Sequence, residues 1–210
     1  MPRPSYEIRR ATLSDRDAVV RVLVRSFDTD PAARYLLRQD AGRARGYELC
    51  FRAFFEHMCL PHGEVWMDTE ARGTALWTPP GRWDVGLQRI WMLPSLIRAV
   101  GVSRLLFARR ATAETQKHHP RKPHFYLFAL GVDPDHQGRG VGSALLEKVL
   151  GRCDALGLPA YLEASTVNSA RLYERHGFVG KEALLMAEGA PPIWPMWREP
   201  KSSDGGAGLA

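Results

Sequence analysis

A chain of 210 residues is long enough for one domain with a full core and short for two. Its 45% apolar and 25% charged residues argue against disorder; no apolar run approaches the roughly 18 residues of a spanning helix, and the opening MPRPSYEIRR lacks a leader's apolar stretch, so a cytoplasmic protein without a membrane partner is expected. The net charge of +6 favours anionic partners without naming one, and three cysteines, odd in number and without a CxxC pair, argue against a disulfide framework and a zinc site.

Residues 6–10 alternate as a short strand, and Ser14 with Asp17 marks a helix start ahead of the apolar run 18–23. Asp30 and Pro31 supply a cap and a first-turn proline for a second short helix through Leu37. Leu49, Phe51, Phe54, Phe55 and Met58 recur at helical spacings between Tyr47 and Leu60. Residues 64–67 and 74–77 form a hairpin turned at Arg72-Gly73. From Gly86 to Ala113 the pattern is helical, interrupted at Pro94 and Gly101, with a basic outer surface of Arg98, Arg104, Arg109 and Arg110.

Residues 125–132 are nearly all apolar, as in a strand buried on both faces. A glycine cluster, Gln137-Gly138-Arg139-Gly140-Val141-Gly142, separates this strand from an apolar helix face carrying Val141, Leu145 and Val149. Residues 160–164 form the next strand, 169–176 a short helix stopped by Gly177, and 193–197 a last strand; residues 201–210 are a small, polar tail expected to be disordered. Strand, glycine loop, helix and strand make a parallel β-α-β unit among hairpin strands, hence an α/β domain on a mixed sheet.

Such a cluster binds phosphate: glycines let the backbone approach an anion, and the helix that follows presents the positive end of its dipole. A nucleotide-hydrolysis loop would need GxxxxGK[ST], and no lysine follows these glycines. A dinucleotide fingerprint fits worse than it first looks, because its third glycine position is Ser143 and five residues intervene between strand and glycines.

The cluster matches the Q/RxxGxG/A signature of the GCN5-related N-acetyltransferases (GNAT family). Residues 125–178 resemble that family throughout: Leu130-Gly131-Val132-Asp133-Pro134 precedes the cluster, and Leu162-Glu163-Ala164-Ser165, Asn168 and Leu172-Tyr173-Glu174-Arg175-His176-Gly177-Phe178 follow it. Within the family the DPDHQG stretch, the YLE-S strand, the YER-GF helix and a late tryptophan are most similar to puromycin-type N-acetyltransferases. The resemblance implies a single GNAT-like α/β domain over residues 1–200, with a mixed central β-sheet flanked by helices.

The resemblance also implies acetyl-CoA as co-substrate, without a metal. Its pyrophosphate would lie on Gln137, Gly138, Arg139, Gly140, Val141 and Gly142, with the Arg139 side chain either on phosphate or in solvent. Its pantetheine arm would run along Leu130, Gly131 and Val132, where Gly131 permits a splayed backbone, and would reach Asn168, itself a candidate helix cap. Tyr173 matches the family's general acid for the departing thiolate. Glu163 is the candidate base for the attacking amine, with His136 and His124 as alternatives. The acceptor is expected to be a small-molecule primary amine, its pocket walled by residues 26–30, Trp77, Trp194 and Trp197, with Asp28 or Asp30 available to a cation. Cys50, Cys59 and Cys153 offer no nucleophilic triad, which favours direct transfer. The oligomeric state is left between monomer and homodimer. Two rivals remain: a CoA-binding sensor of the same fold without turnover, and a basic nucleic-acid-binding module, for which no base-reading helix or stacking motif speaks.

Overall fold

The computed structural model describes residues 5–84 and 89–201. The expected tail beyond Lys201 and the start of the helical stretch at Gly86 lie outside them. In chain order the elements are β1 (Ile8–Arg10), α1 (Arg16–Phe27), α2 (Pro31–Leu36), α3 (Arg43–Phe54), β2 (Val65–Asp68), β3 (Gly73–Thr78), α4 (Arg89–Val100) and α5 (Leu105–His118). They continue with β4 (Phe125–Val132), α6 (Val141–Ala155), β5 (Ala160–Ala164), α7 (Val167–Arg175), β6 (Val179–Gly180), β7 (Leu184–Leu185) and β8 (Pro192–Arg198). Among the described residues no single helix is long and apolar enough to cross a membrane.

The strands form a mixed sheet in the order β1-β2-β3-β4-β5-β8-β6, with β7 added to β8. β4 and β5 run parallel, and the remaining pairs are antiparallel. The helix between β4 and β5 makes that one parallel pair possible, since a parallel connection needs a crossover. α6 lays Val141, Leu145, Leu146 and Val149 on Phe125, Leu127, Ala160 and Leu162. On the other face α1 and α3 bring Val19, Leu23, Phe51 and Tyr47 to Val65, Met67, Leu76 and Ala129. β4 is therefore covered on both sides, as its apolar run requires. Arg198, buried, donates both arms of its guanidinium to Asp154 at 2.7 and 2.8 Å, fastening β8 to α6 and holding the Asp154 carboxyl below its ordinary range.

The pairing of β4 positions the site. β4 follows β3 from Tyr126 to Val132, but its register slips between Leu76 and Trp77: Leu76 faces Ala129 while Trp77 faces Leu127, so Phe128 is an extra residue on β4. On the other edge, β4 pairs with β5 at Phe125↔Ala160, Tyr126↔Tyr161 and Leu127↔Leu162 and then stops. β5 meanwhile stays paired to β8 through Ala164. From Phe128 onward the two parallel strands separate, which leaves residues 128–132 without a strand partner on that edge.

Several local expectations change. The splay begins at the Phe128 bulge rather than at Gly131, which stays in register with Thr74. Gly131 is small for another reason: a Cβ there would lie 2.3 Å from Ser26 Oγ and 3.1 Å from Leu23 Cδ2, so its bare backbone lets α1 close on the sheet. Ser14 is not a cap: Thr12 caps a 3-10 turn, Leu13–Asp15, that leads into α1, and the Thr12 amide donates to Asp15 Oδ2 at 2.8 Å. α4 runs through Pro94, giving up one backbone bond, and the break comes at Gly101, φ 85°. The α3 pattern leaves the α-helix at Phe54 and continues as a wider π turn, Phe55–Cys59. In the β2–β3 hairpin the left-handed residue is Ala71, φ 55°, braced by the buried Asp68, which accepts from Arg72 Nε at 2.7 Å. The two-residue strands β6 and β7 were not anticipated.

Gly131→Ala is expected to lower stability by about 1–3 kcal/mol, read as a fall in Tm, because α1 must shift or Ser26 must give up its bond to the Leu23 carbonyl. Adding Ser26→Ala should recover part of the loss in the double variant, which a scan of all three proteins checks.

Candidate active site

At the open end of the splayed strands, the chain leaves β4 through a 3-10 turn, Pro134–His136, and enters the glycine loop. Gly138 (φ 72°) and Gly140 (φ 96°) are both left-handed, a backbone that side chains disfavour, so these two are required by conformation. Gly142 has an ordinary φ, and a Cβ there would meet only normal contacts, the nearest at 3.4 Å from Leu172. Gly140 is the N-cap of the 15-residue α6, and no side chain caps it and no acidic residue occupies its first turn. The orphan amides and positive dipole end of a long helix are thus left for an external anion. The loop is held from three sides. The Gln137 amide donates to the Val132 carbonyl at 3.1 Å, Arg25 bridges Asp133 (3.4 Å) and Asp135 (3.0 Å), and the Tyr6 hydroxyl donates to the Arg139 carbonyl at 2.7 Å. The Arg139 side chain is exposed.

Tyr173 lies on α7 among the residues packed against α6, with Phe178 at 5.9 Å between ring centroids. Burial, then the negative charge of Asp30, push its hydroxyl well above the ordinary range, so it stays protonated at neutral pH. Asp30 has two partners: it caps α2 by accepting from the Ala33 amide at 2.8 Å, and its other oxygen accepts from the Ser165 hydroxyl just past β5. Asp28 is held by Arg43 at 2.7 Å, so of residues 26–30 it is Asp30 that reaches this centre. Asn168, expected as a possible cap, is not one. Thr166 caps α7 by accepting from the Ser169 amide at 3.1 Å, and Asn168 is left exposed in the first turn.

Glu163 occupies the opposite face of the sheet from α6. It alternates with Leu162 and Ala164, which join the α6 core, and shares its side with Tyr161. Its Oε1 and the Tyr161 hydroxyl are both buried without a hydrogen-bond partner among the described residues. Around it stand Tyr126, Tyr161 and His119, with His119 Nδ1 3.7 Å from Glu163 Oε1. Burial first, and then the Glu163 charge, raise both tyrosine hydroxyls above their ordinary range. His119 is buried, stacked on Trp83 at 3.8 Å and bonded through Nε2 to His124 Nε2 at 3.0 Å.

Sequence reasoning missed His119, Tyr126, Tyr161, Trp83 and the Asp30–Ser165 pair. A signal for the first was available in HHPRKPH, where Pro120 and Pro123 bend a five-residue loop that returns His124 to His119. His124 is buried just before β4, and burial lowers its pKa. His136 sits half-buried in the 3-10 turn. Trp197 flanks His124 at 5.5 Å. Trp77, by contrast, is wholly buried in the α6 core, and Trp194 packs against that same core. Among the described residues no cluster of His, Cys, Asp or Glu could hold a metal ion.

The family model for the acetyltransferase (GNAT) family matches residues 98–178. An uncharacterized N-acetyltransferase of Schizosaccharomyces pombe is 27% identical over 92% of this chain and 83% of its own length. A mycothiol acetyltransferase of Geodermatophilus obscurus is 31% identical over 55% of this chain and 40% of its own. Among solved structures, one described as histone acetyltransferase HPA2 and related acetyltransferase, from Corynebacterium glutamicum, superposes with a TM-score of 0.73 at 26% identity, covering 96% of this chain and 99% of that one. An agmatine N-acetyltransferase shares the fold at a TM-score of 0.58 and 18% identity, covering 93% and 100%.

The cysteines stand apart from this centre. Burial pushes the Cys50 and Cys153 thiols up to about 12 and Cys59 higher still, so none supplies a thiolate at neutral pH. A disulfide reagent is expected to leave Cys59 and Cys153 unmodified in the native protein and to titrate all three thiols once guanidinium unfolds it.

Proposed function

The chain belongs to the acetyltransferase (GNAT) family and is an acetyl-CoA-dependent N-acyltransferase, and from that premise we propose that it moves the acetyl group directly to a small primary amine held against Glu163. The observation that carries this reading is the opening between β4 and β5. At one end stands the uncapped start of α6, and across the sheet lies a buried carboxylate oxygen that lacks a donor.

In this reading the amides from Gln137 to Gly142 hold the pyrophosphate, and Arg139 is free to close on it. The pantetheine arm takes the unpaired edge of Leu130, Gly131 and Val132 as an added strand would, with Asn168 facing it from α7. A cationic amine supplies the donors that Glu163 Oε1 lacks, while Tyr126, Phe128 and Tyr161 offer aromatic surface to its carbon body. Glu163 takes a proton from the nitrogen, which then attacks the thioester carbon. As the C–N bond forms and the C–S bond breaks, Tyr173 gives its proton to the sulfur and is reprotonated by the second proton that the nitrogen loses on becoming an amide. A thiol, with an ordinary pKa near 8.5, leaves far more readily than an alkoxide, so the acid assists rather than enables the step. No side chain carries the acetyl group, which suits the depressed reactivity of the three cysteines.

The test is release of free CoA thiol from acetyl-CoA with a panel of polyamines, arylalkylamines, aminonucleosides of the puromycin type, amino acids and peptide N-termini. Turnover with a small amine and none with peptides is expected. Thiol release with no amine at all, despite saturable CoA binding, would instead establish a sensor. Glu163→Gln is expected to lower kcat by about 100-fold and Tyr173→Phe by about 10-fold, both with CoA affinity retained. Full activity of either variant removes that residue from the mechanism.

A further inference from the structure

The hydrogen bonds around His119 fix where its protons are. His124 Nδ1 lies 2.6 Å from the Lys122 carbonyl, which accepts only, so Nδ1 carries a proton. Burial keeps His124 neutral, and its Nε2 is therefore an acceptor that receives the N–H of His119 Nε2 at 3.0 Å. A neutral His119 is then left with a bare lone pair on Nδ1, and this lone pair faces Glu163 Oε1 at 3.7 Å. Two acceptors confront each other, and among the described residues Oε1 takes no hydrogen bond, while the Tyr126 and Tyr161 hydroxyls face the same carboxylate.

We infer that Glu163 and His119 act as one base that binds a single proton between Oε1 and Nδ1, with His119 as the positioning residue that makes the carboxylate hold it. This rests on the reading of Glu163 as the amine's proton acceptor. Of the two protons an ammonium substrate loses before and during attack, the pair takes the first and later releases it to water; the second ends on the CoA sulfur by way of Tyr173. A lone carboxylate is a weak base toward an amine, whereas an imidazole nitrogen facing it at 3.7 Å gives the transferred proton a second acceptor.

The surroundings favour the shared proton. Trp83 stacks on the imidazole from the loop after β3, an arrangement that stabilises positive charge on the ring. Tyr126 of β4 and Tyr161 of β5 present ring edges at 4.9 Å, and both keep their own protons. From β8, Trp197 covers His124 rather than the pair. The Lys122 ammonium turns away, over the Trp197 ring and toward Glu199 at 3.3 Å.

Two measurements test the pair. His119→Gln keeps an N–H toward His124 and removes the group that faces Glu163. With one amine throughout, the acidic limb of its kcat/KM profile is expected to move down by about one to two pH units, with a several-fold lower plateau. Independently, the His119 ring signals, assigned by NMR contacts to Trp83, are followed against pH in the wild type and in Glu163→Gln, where the midpoint should fall by more than half a unit. An unmoved acidic limb in a folded His119→Gln, or a His119 midpoint indifferent to Glu163→Gln, overturns the inference. Should no amine be acetylated, the proposed function fails while the NMR comparison still decides the pair. Should His119→Gln fail to fold, that comparison again suffices.

Discussion

Strands β4 and β5 share three register pairs and then part, and nearly every functional feature depends on that parting. A parallel pair inside a sheet would normally zip along its full length. Here an extra residue at Phe128 lets β4 remain married to β3 while swinging away from β5, and β8 keeps β5 from following. The cost of the unmade bonds is borne by burial on both faces, where α6 and α1 continue to pack on the diverging strands. What results is a slot with backbone donors and acceptors on one wall, the start of a long helix at its mouth, and Tyr173 and Glu163 reaching it from opposite faces of the sheet.

The two faces differ in their electrostatics. On the α6 side the slot is apolar, and Tyr173 sits among hydrocarbon with Asp30 as its nearest negative influence. On the other side a small polar cluster is enclosed by rings: Glu163, His119 and His124 among Trp83, Tyr126, Tyr161 and Trp197. Charges in such a box feel little of the screening that water gives, so a 3.7 Å approach between a carboxylate and an imidazole is consequential there and would be trivial on the surface. Glu163 and Tyr173 are thereby kept on opposite faces of the sheet.

Much of this was legible in the sequence, for physical reasons that can be stated. The run from Phe125 to Val132 had to be a central strand because both its faces are apolar, and the glycines at 138 and 140 had to be conformational because their torsions are closed to other residues. The Asp30-Pro31 cap formed as read. What stayed hidden was whatever depends on strands meeting at a distance. The bulge is a relation between Phe128 and Trp77, fifty residues apart, and no local pattern encodes it. The role of Gly131 depends on Ser26, and the setting of Glu163 depends on His119, which arrives from the end of α5. Trp77 looked like a pocket wall because tryptophan often is one, and only the fold shows which side of β3 it takes.

The bond from Tyr6 to the Arg139 carbonyl joins residues 133 positions apart, the stretch just before β1 to the tip of the glycine loop. Tyr6 is in turn covered by Arg72, which Asp68 anchors in the β2–β3 hairpin. The loop is therefore held in this shape by β1, the hairpin and β4 together. Any anion that prefers this shape will be bound by the assembled sheet and not by partly folded chains, and by mass action its free energy of binding becomes part of the cohesion between the two ends of the domain. Ligand occupancy at the loop and the integrity of the amino-terminal strand are, on this account, one thermodynamic quantity seen from two places.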